Sequence, residues 1–316
     1  MPVSAATVSV VIPVCNGAAH LGATLEAVQA QWHPAHEVIV VDDGSDDDSA
    51  LIARAHGVTL LQQPRSGVCS ARNHGLAQAS GEWVAFLDQD DLWHPQHLQR
   101  QLQAAALAPE AGVVVSPYRH WYPQGRDGPQ PPADWLDTPP LLQLLPEHSG
   151  WVYHAFMEDC WALTSATLLR RSLLQQCGAF DTSLPFSEDW ELWLRLSRHT
   201  RFAALNAPAV LYRQHPSQGS RLPRAVDYRT ELLLRHEREH GLCSADGRCL
   251  DRRRFRHTLA GYHLAFGYRH LQQGDPALGR HALWQAWRAD PRRARALALI
   301  AASCLGWRPR PPSPDA

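Results

Sequence analysis

The sequence predicts an α/β fold, a Rossmann-like, mostly parallel, doubly wound sheet followed by a helical region. Three observations predict it. Short β-branched runs alternate with apolar spacing of period 3.6 through the first hundred or so residues. Those runs are continuously apolar, yet three of them end in polar or acidic residues, as strands do when ligands sit beyond their carboxyl ends. After about residue 222 the composition turns to Arg, Leu and Ala at helical spacing, which divides the chain into domains 1–222 and 223–316.

Strands are expected at "VSVVIPV" (8–14), "EVIVVDDGS" (37–45), "VTLLQQ" (58–63), "EWVAFLD" (82–88) and "AGVVVSPY" (111–118). Helices fall between them, at about 20–31, 47–56, 68–79 and 95–107, with Asp, Ser or Pro at their starts and Gly at several ends. The segment 121–150 carries "GRDGPQPPADWLDTPP", whose prolines forbid regular structure, and reads as a loop over one face. A strand then a helix are expected over 160–180, and an acid-headed, tryptophan-rich helix in "PFSEDWELWLRLSRH" (185–199). Within the helical region, residues 265–300 place small and apolar side chains as two antiparallel helices would, with Gly274 and Pro291 as punctuation. The pair is similar to one tetratricopeptide hairpin, and a single such unit needs another surface to pack on.

Thirty basic residues against 31 acidic give a net charge of −1, which provides no basic field for nucleic acid. Every basic residue is Arg, so Schiff-base chemistry and the P-loop lysine are both excluded. The seven cysteines show neither a CxxC pair nor a metal-finger spacing, so no disulfide framework or zinc site is expected and a cytoplasmic setting fits. The apolar N-terminal run lacks a basic flank and reads as a buried strand. "ALALIAASCLGW" falls short of the roughly 20 residues that span a bilayer.

The chemistry gathers at the strand ends. "DQDD" offers Asp88, Asp90 and Asp91 just past the fourth strand. Crowded carboxylates repel one another unless a divalent cation joins them, and hard oxygen ligands favour Mg²⁺ or Mn²⁺ with substrate phosphate completing the shell. The alternative is a solvated turn. In "DDGSDDDS" Gly44 suits a tight turn, while Asp42 and Asp43 stand where a carboxylate can accept a nucleobase N–H. Arg72 suits either a diphosphate or an ion pair with a nearby Asp. Glu188 and Asp189 head the Trp-rich helix, either as ordinary first-turn acids or as a base. Glu191 and Arg195, four apart, read as a helix-surface ion pair. Trp151, Tyr153 and Trp161 read as core aromatics or as a stacking wall for a sugar.

"SVVIPVCNG", "VIVVDDGSDDDS", "GVCSARNHGLAQASGEWVAFLDQDD", "GAFD" and "EDWELWLRL" stand together in an order and spacing that resembles the family 2 glycosyltransferases, over about residues 8–220. The resemblance implies an A-type nucleotide-sugar-binding fold. It implies that Pro13, Val14, Asn16 and Asp43 border the nucleotide, with Asp43 facing the base, and that Arg72 lies near the diphosphate. It implies Asp88 near the ribose and metal, Asp90 as direct metal ligand, Asp91 in support, and Asp189 as catalytic base beside Glu188 and Trp190. His215, in "LYRQHPSQGS", answers to a stretch that closes over the donor and can touch phosphate or metal there, or is a structural histidine.

The implied reaction is inverting, metal-dependent transfer of one sugar from a nucleotide diphosphate sugar to a hydroxyl of a glycan, a lipid-linked glycan or a protein. "WELWLRL" stands where processive synthases carry their Gln-x-x-Arg-Trp pattern, which favours single addition. Uracil N3–H suits Asp43, favouring a UDP-sugar, although guanine and thymine present similar donors. Two other classes share parts of this pattern. A nucleotidyltransferase would need a Gly-rich signature and a lysine that the chain lacks. A non-catalytic binding module has no physical reason to keep Asp88, Asp90 and Asp189 clustered. The basic, semi-apolar C-terminal stretch can either pack on its own domain or lie peripherally on anionic lipid.

Overall fold

The computed structural model describes residues 6–123, 127–215, 218 and 223–309. The expected boundary at residue 222 and the last residues of the C-terminal stretch lie outside them. The chain forms two compact units, Met1–Val152 with Cys160–Gln214, and Tyr153–Asp159 with His215–Ala316.

The first unit runs β1 (Val8–Val14), α1 (Leu21–Gln29), β2 (Glu37–Asp43), α2 (Ser49–Ala55), β3 (Thr59–Gln63), α3 (Val68–Gln78), β4 (Trp83–Phe86), β5 (Leu92–Trp93), α4 (His97–Leu107), β6 (Ala111–Val115) and β7 (Tyr118–Trp121). After α5 (Tyr153–Phe156), which belongs to the second unit, come β8 (Thr167–Arg170), α6 (Arg171–Cys177), α7 (Glu188–Leu196), β9 (Arg201–Ala204) and β10 (Val210–Arg213). Seven strands form one sheet in the order β3-β2-β1-β4-β8-β6-β9. All are parallel except β8, which runs against both β4 and β6. Strands β5, β10 and β7 make a second, small sheet. Its apolar cluster takes in Leu92, Trp121 and Leu211 together with Trp135 from the Pro-rich segment, which is otherwise without strand or α-helix among its described residues.

All seven residues of β1 are buried, which accounts for its unbroken apolar sequence. The strand outruns its neighbour. Pairing with β4 ends at Val11 opposite Phe86, whereas pairing with β2 continues to Val14. Pro13, which has no N–H to give, therefore stands where β4 no longer needs one. The strand order also reverses between β1 and β4, so the two splay apart at the topological switch point where α/β sheets bind ligands.

Helix α3 lies close on that part of the sheet. A Cβ built on Gly75 would collide with Val11 Cγ1 and meet Val41 Cγ2 at 3.1 Å. Gly75→Ala is expected to lower stability by about 1–3 kcal/mol through overpacking, read as a lower urea midpoint with an unchanged m-value.

The second unit holds α5, α8 (Tyr228–His240), α9 (Arg252–Gln273), α10 (Pro276–Ala289) and α11 (Ala294–Cys304). Segment 153–159 belongs with it through hydrogen bonds. Tyr153 Oη donates to the carbonyls of His236 and Gly241, His154 N to Ser244 Oγ, and Tyr262 Oη to Asp159 Oδ1. The stretch read as two helices spans three, namely the end of α9, α10 and the start of α11. The turn before α10 is capped by Asp275, whose carboxylate accepts Ala277 N at 2.7 Å. Gly267 and Gly279 let α9 and α10 approach closely, since a Cβ on either would sit within 3 Å of the other's carbonyl oxygen. The expectation of a chain without disulfide bonding needs correction here. Cys243 and Cys249 are bonded across an antiparallel bridge in the α8–α9 connection, a local turn closure that cysteine counting cannot reveal.

Candidate active site

The loops after β1 and β2 are stitched together. Asn16 N donates to Ser45 Oγ, Asp46 N returns a bond to Asn16 Oδ1, and Gly17 N and Ala18 N donate to Ser49 Oγ and Asp47 Oδ2. Asn16 holds a left-handed backbone (φ 53°), a conformation that Asn tolerates well. Across the switch point, Cys15 N donates to Gln89 Oε1 and Gln89 Nε2 returns a bond to Cys15 O. Pro13 and Val14 are buried at this edge.

Asp42 and Asp43 are both buried. Asp42 accepts Ser45 N and Gln62 Nε2. Asp43 Oδ1 accepts Ser66 N at 2.7 Å and Gln63 Nε2 at 2.8 Å, and its Oδ2 accepts Gly67 N at 2.8 Å. Its carboxylate thus fixes the loop that enters α3, where Gly67 turns through φ 92°. Sequence reasoning assigned Asp43 to a base but did not foresee this anchoring.

Four residues along α3, Arg72 is buried, with its side chain 4% exposed. Its Nη2 donates to Asp88 Oδ1 at 2.7 Å and its Nη1 to Glu188 Oε1 at 3.0 Å. The guanidinium lies 4.9 Å from the centroid of Phe180, itself edge-on to Phe86. Both terminal nitrogens are therefore committed to carboxylates. In the chain without donor, the ion-pair alternative describes this contact, with burial leaving the Arg72 charge to be balanced by Asp88 and Glu188. Burial works against its proton, but those two carboxylates outweigh it and raise its pKa above the ordinary value. The "GAFD" stretch is locked in place by Asn73, whose amide donates to Phe180 O and accepts Phe180 N.

Beyond β4 the chain makes a tight turn in which Asp91 N donates to Asp88 O. Asp91 is fully buried and accepts Ser165 Oγ at 2.6 Å and Arg213 N at 3.1 Å. Ser165 Oγ also accepts Asp88 N, and Arg213 Nε donates to Asp90 O at 2.6 Å while stacking on Trp121. This scaffold holds the acidic turn. Sequence reasoning missed Ser165 and Arg213; the only available signal was an Arg two residues before His215. Burial, with Asp90 and other acids adding to it, lifts the Asp88 and Asp91 carboxyls above the usual range, Asp91 strongly.

Helix α7 starts from Ser187, buried in a left-handed conformation (φ 62°), which carries Glu188 and Asp189 into the same cluster. Asp189 Oδ1 accepts Trp190 N at 2.7 Å. Burial first, then Glu188, pushes its pKa from the ordinary carboxylate value to about 7, against the opposing pull of Arg72. Trp190 is buried beneath this turn, and Trp193 Nε1 donates to Ala162 O. The Glu191–Arg195 pair is not a surface ornament as expected. Glu191 is buried and accepts two bonds from Arg195, whose guanidinium also donates to the carbonyls of Cys177, Gly178 and Ala179, tying α7 to the end of α6.

His215 opens the second stretch of the second unit and is half-buried. Tyr153 also belongs to that unit, with its hydroxyl already bonded there. Trp161 stacks on His148 at 4.5 Å. Tyr153 is buried, which matches the core alternative for it, and Trp161 is half-buried.

The cluster thus sets five carboxylates, Asp88, Asp90, Asp91, Glu188 and Asp189, against Arg72 and Arg213. Among the described residues no three His, Cys, Asp or Glu side chains converge as a ready-made metal cage. Excess negative charge without a three-ligand protein cage among the described residues suits Mg²⁺ or Mn²⁺, which complete their shells with water and phosphate oxygens. Asp88 and Asp90 are the residues that would hold such an ion.

Residues 9–168 match Glycosyl transferase family 2. An uncharacterised glycosyltransferase of Rickettsia typhi is 27% identical over 196 residues, 60% of this chain and 58% of that protein, so the chain spans little more than half of that relative. Glycosyltransferase AglE of Haloferax volcanii is 42% identical over 101 residues, 29% of this chain and 33% of AglE. Among solved structures, S. aureus TarS 1–349 in complex with UDP-GlcNAc superposes with a TM-score of 0.62 at 19% identity, covering 93% of this chain and 84% of the 1–349 chain. The mannosyltransferase PcManGT of Pyrobaculum calidifontis, in complex with GDP-Man and Mn²⁺, gives 0.53 at 23% identity, covering 95% and 80%. At those identities the structures speak for the fold. The reversal of strand order between β1 and β4, the acidic turn beyond β4 and the matched sequence together place this chain in glycosyl transferase family 2.

Proposed function

We propose that this chain transfers a single sugar, with inversion, from a nucleotide diphosphate sugar to a hydroxyl acceptor, with Asp189 as the base. The observation that carries the reading is the Arg72 guanidinium, which holds Asp88 of the β4 turn and Glu188 of the α7 start on one centre, so that Asp189 and the acidic turn face a common site. A sugar hydroxyl is a weak nucleophile, and a carboxylate with a pKa near 7 is ionised enough at neutral pH to accept its proton and basic enough to do so usefully.

In this reading Pro13, Val14 and Asn16 border the nucleoside, and Asp43 shapes the loop around the base. Asp88 and Asp90 hold Mg²⁺ or Mn²⁺, which offsets charge on the departing diphosphate. Asp91 keeps their turn in register and Trp190 supports the base. TarS with UDP-GlcNAc and PcManGT with GDP-Man and Mn²⁺ support a nucleotide-sugar donor and a manganese requirement for this chain, and UDP-sugars are the first donors to try. A glycan, a lipid-linked glycan or a protein supplies the hydroxyl, and the reaction belongs on the cytoplasmic side, where nucleotide sugars are made.

The test is release of nucleoside diphosphate from a panel of UDP- and GDP-sugars with Mn²⁺. Slow, metal-dependent hydrolysis of one donor is expected, and silence across the panel would count against the reading. Asp90→Asn is expected to weaken Mn²⁺-dependent UDP binding by more than about tenfold while leaving metal-free binding unchanged, as titration calorimetry with and without chelator would measure.

A further inference from the structure

The second unit ends in a helix whose outer face is apolar. On α11 the exposed positions are Ala294, Arg295, Leu297, Ala298, Ala301 and Cys304, apolar apart from Arg295 and continued by Leu305 just past the helix, while Ala296 and Leu299 face inward onto Leu271, Leu283 and Ala286. Leu305 is 89% exposed and Trp307, just past the helix, 46%. Helix α10, packed against α11 and tied to it by Arg280 Nη1 donating to Ser303 Oγ, adds the exposed Trp284. Such a run of large exposed apolar side chains is unusual on a surface meant for water alone.

Its charge is one-sided. Residues 288–309 contain Arg288, Arg292, Arg293, Arg295 and Arg308, with Asp290 as the sole carboxylate. Asp290 is already engaged by His257 Nδ1 and Arg292 N. Three of the arginines crowd the start of α11, where no acidic residue sits in the first turn and the helix dipole is already positive. Arg293 turns back to His257, and Arg295 lies over Tyr268. Among the described residues Arg288, Arg292 and Arg308 make no ion pair. Concentrated positive charge at an unfavourable helix end, beside exposed Leu and Trp, is complementary to a surface that is both anionic and apolar.

We infer that α11 and the exposed Trp284 and Trp307 form a peripheral docking face for an anionic lipid bilayer, with the apolar stripe entering the headgroup boundary and the arginines meeting lipid phosphates. Eleven residues span about 16 Å, too short to cross, and among the described residues no helix is long and apolar enough to do so. The assignment is independent of the sugar-transfer reading, because its readout is binding.

The full chain is to be sedimented with phosphatidylglycerol/phosphatidylcholine vesicles and with phosphatidylcholine alone. Binding is expected to the anionic vesicles only and to fall as salt rises. The double variant Arg292→Ala/Arg295→Ala is expected to bind about thirtyfold more weakly. Leu297→Asp, at an exposed site where folding is undisturbed by circular dichroism, is expected to abolish binding. Failure of the parent chain to bind anionic vesicles, or binding that neither variant reduces, overturns the assignment. So does a self-association that Leu297→Asp dissolves without any vesicle binding, which would make a second copy the occupant.

Discussion

Asp189→Asn is expected to lower kcat by about 10²–10⁴-fold while leaving Mn²⁺ and UDP binding intact. The amide keeps an oxygen to accept Trp190 N, so the start of α7 holds its shape, and only the proton acceptor is lost. In the parent chain the carboxyl, held near pH 7 by burial and by Glu188, is protonated and idle in acid, so kcat/KM should rise with pH through about 7 and level off above it. The residual rate of Asp189→Asn should lack that rise.

Stability runs the other way. The folded state holds this proton more tightly than the unfolded chain, so the group's contribution is full below the ordinary carboxylate pKa of about 4 and is lost as pH climbs through about 7. Above neutrality Asp189→Asn should therefore melt at a higher temperature than the parent. An activity loss joined to a gain in melting temperature separates a base held at a cost from a side chain that merely supports the fold.

Arg72→Met is expected to cost about 3–5 kcal/mol, because it leaves Asp88 and Glu188 facing each other in a buried site without their shared cation. Arg72→Lys should recover only part of that loss, since one ammonium cannot reach both carboxylates with the planar fork that now bridges them. Because the Arg72 charge lowers the Asp189 pKa, Arg72→Met should move the acid limb of the pH–rate profile upward, and Arg72→Lys, which keeps a cation, should move it less. A purely structural arginine would change stability and leave that limb in place.

How much of this was legible in the sequence follows from what each signal reports. Strands β1 to β4, β6 and helices α1 to α4 announce themselves because burial on both faces or on one stripe writes a period into the chain. Strands β5, β7 and β10 do not. Two to four residues long, they have no periodicity to display, and β5 and β7 flank β10 only through tertiary pairing. That β8 would run against its neighbours was likewise invisible, for direction leaves no mark on composition.

The acids of the site were readable as residues, since clustered charge is costly anywhere in a folded chain. Their partners were not. Arg72 meets Glu188 across 116 positions and Arg213 meets Asp90 across 123, distances over which local pattern is silent. Glu191 and Arg195 show the same limit, because i, i+4 spacing predicts the contact but says nothing of the burial around it.

If the acidic turn beyond β4 and the head of α7 serve one donor site, an anomalous difference map from crystals grown with UDP and Mn²⁺ should show a single manganese peak bonded to Asp90 and to the diphosphate, with Asp189 across the same cleft from the terminal phosphate. Manganese bound away from Asp90, or UDP seated where Asp189 has no line to its terminal phosphate, would refute that arrangement.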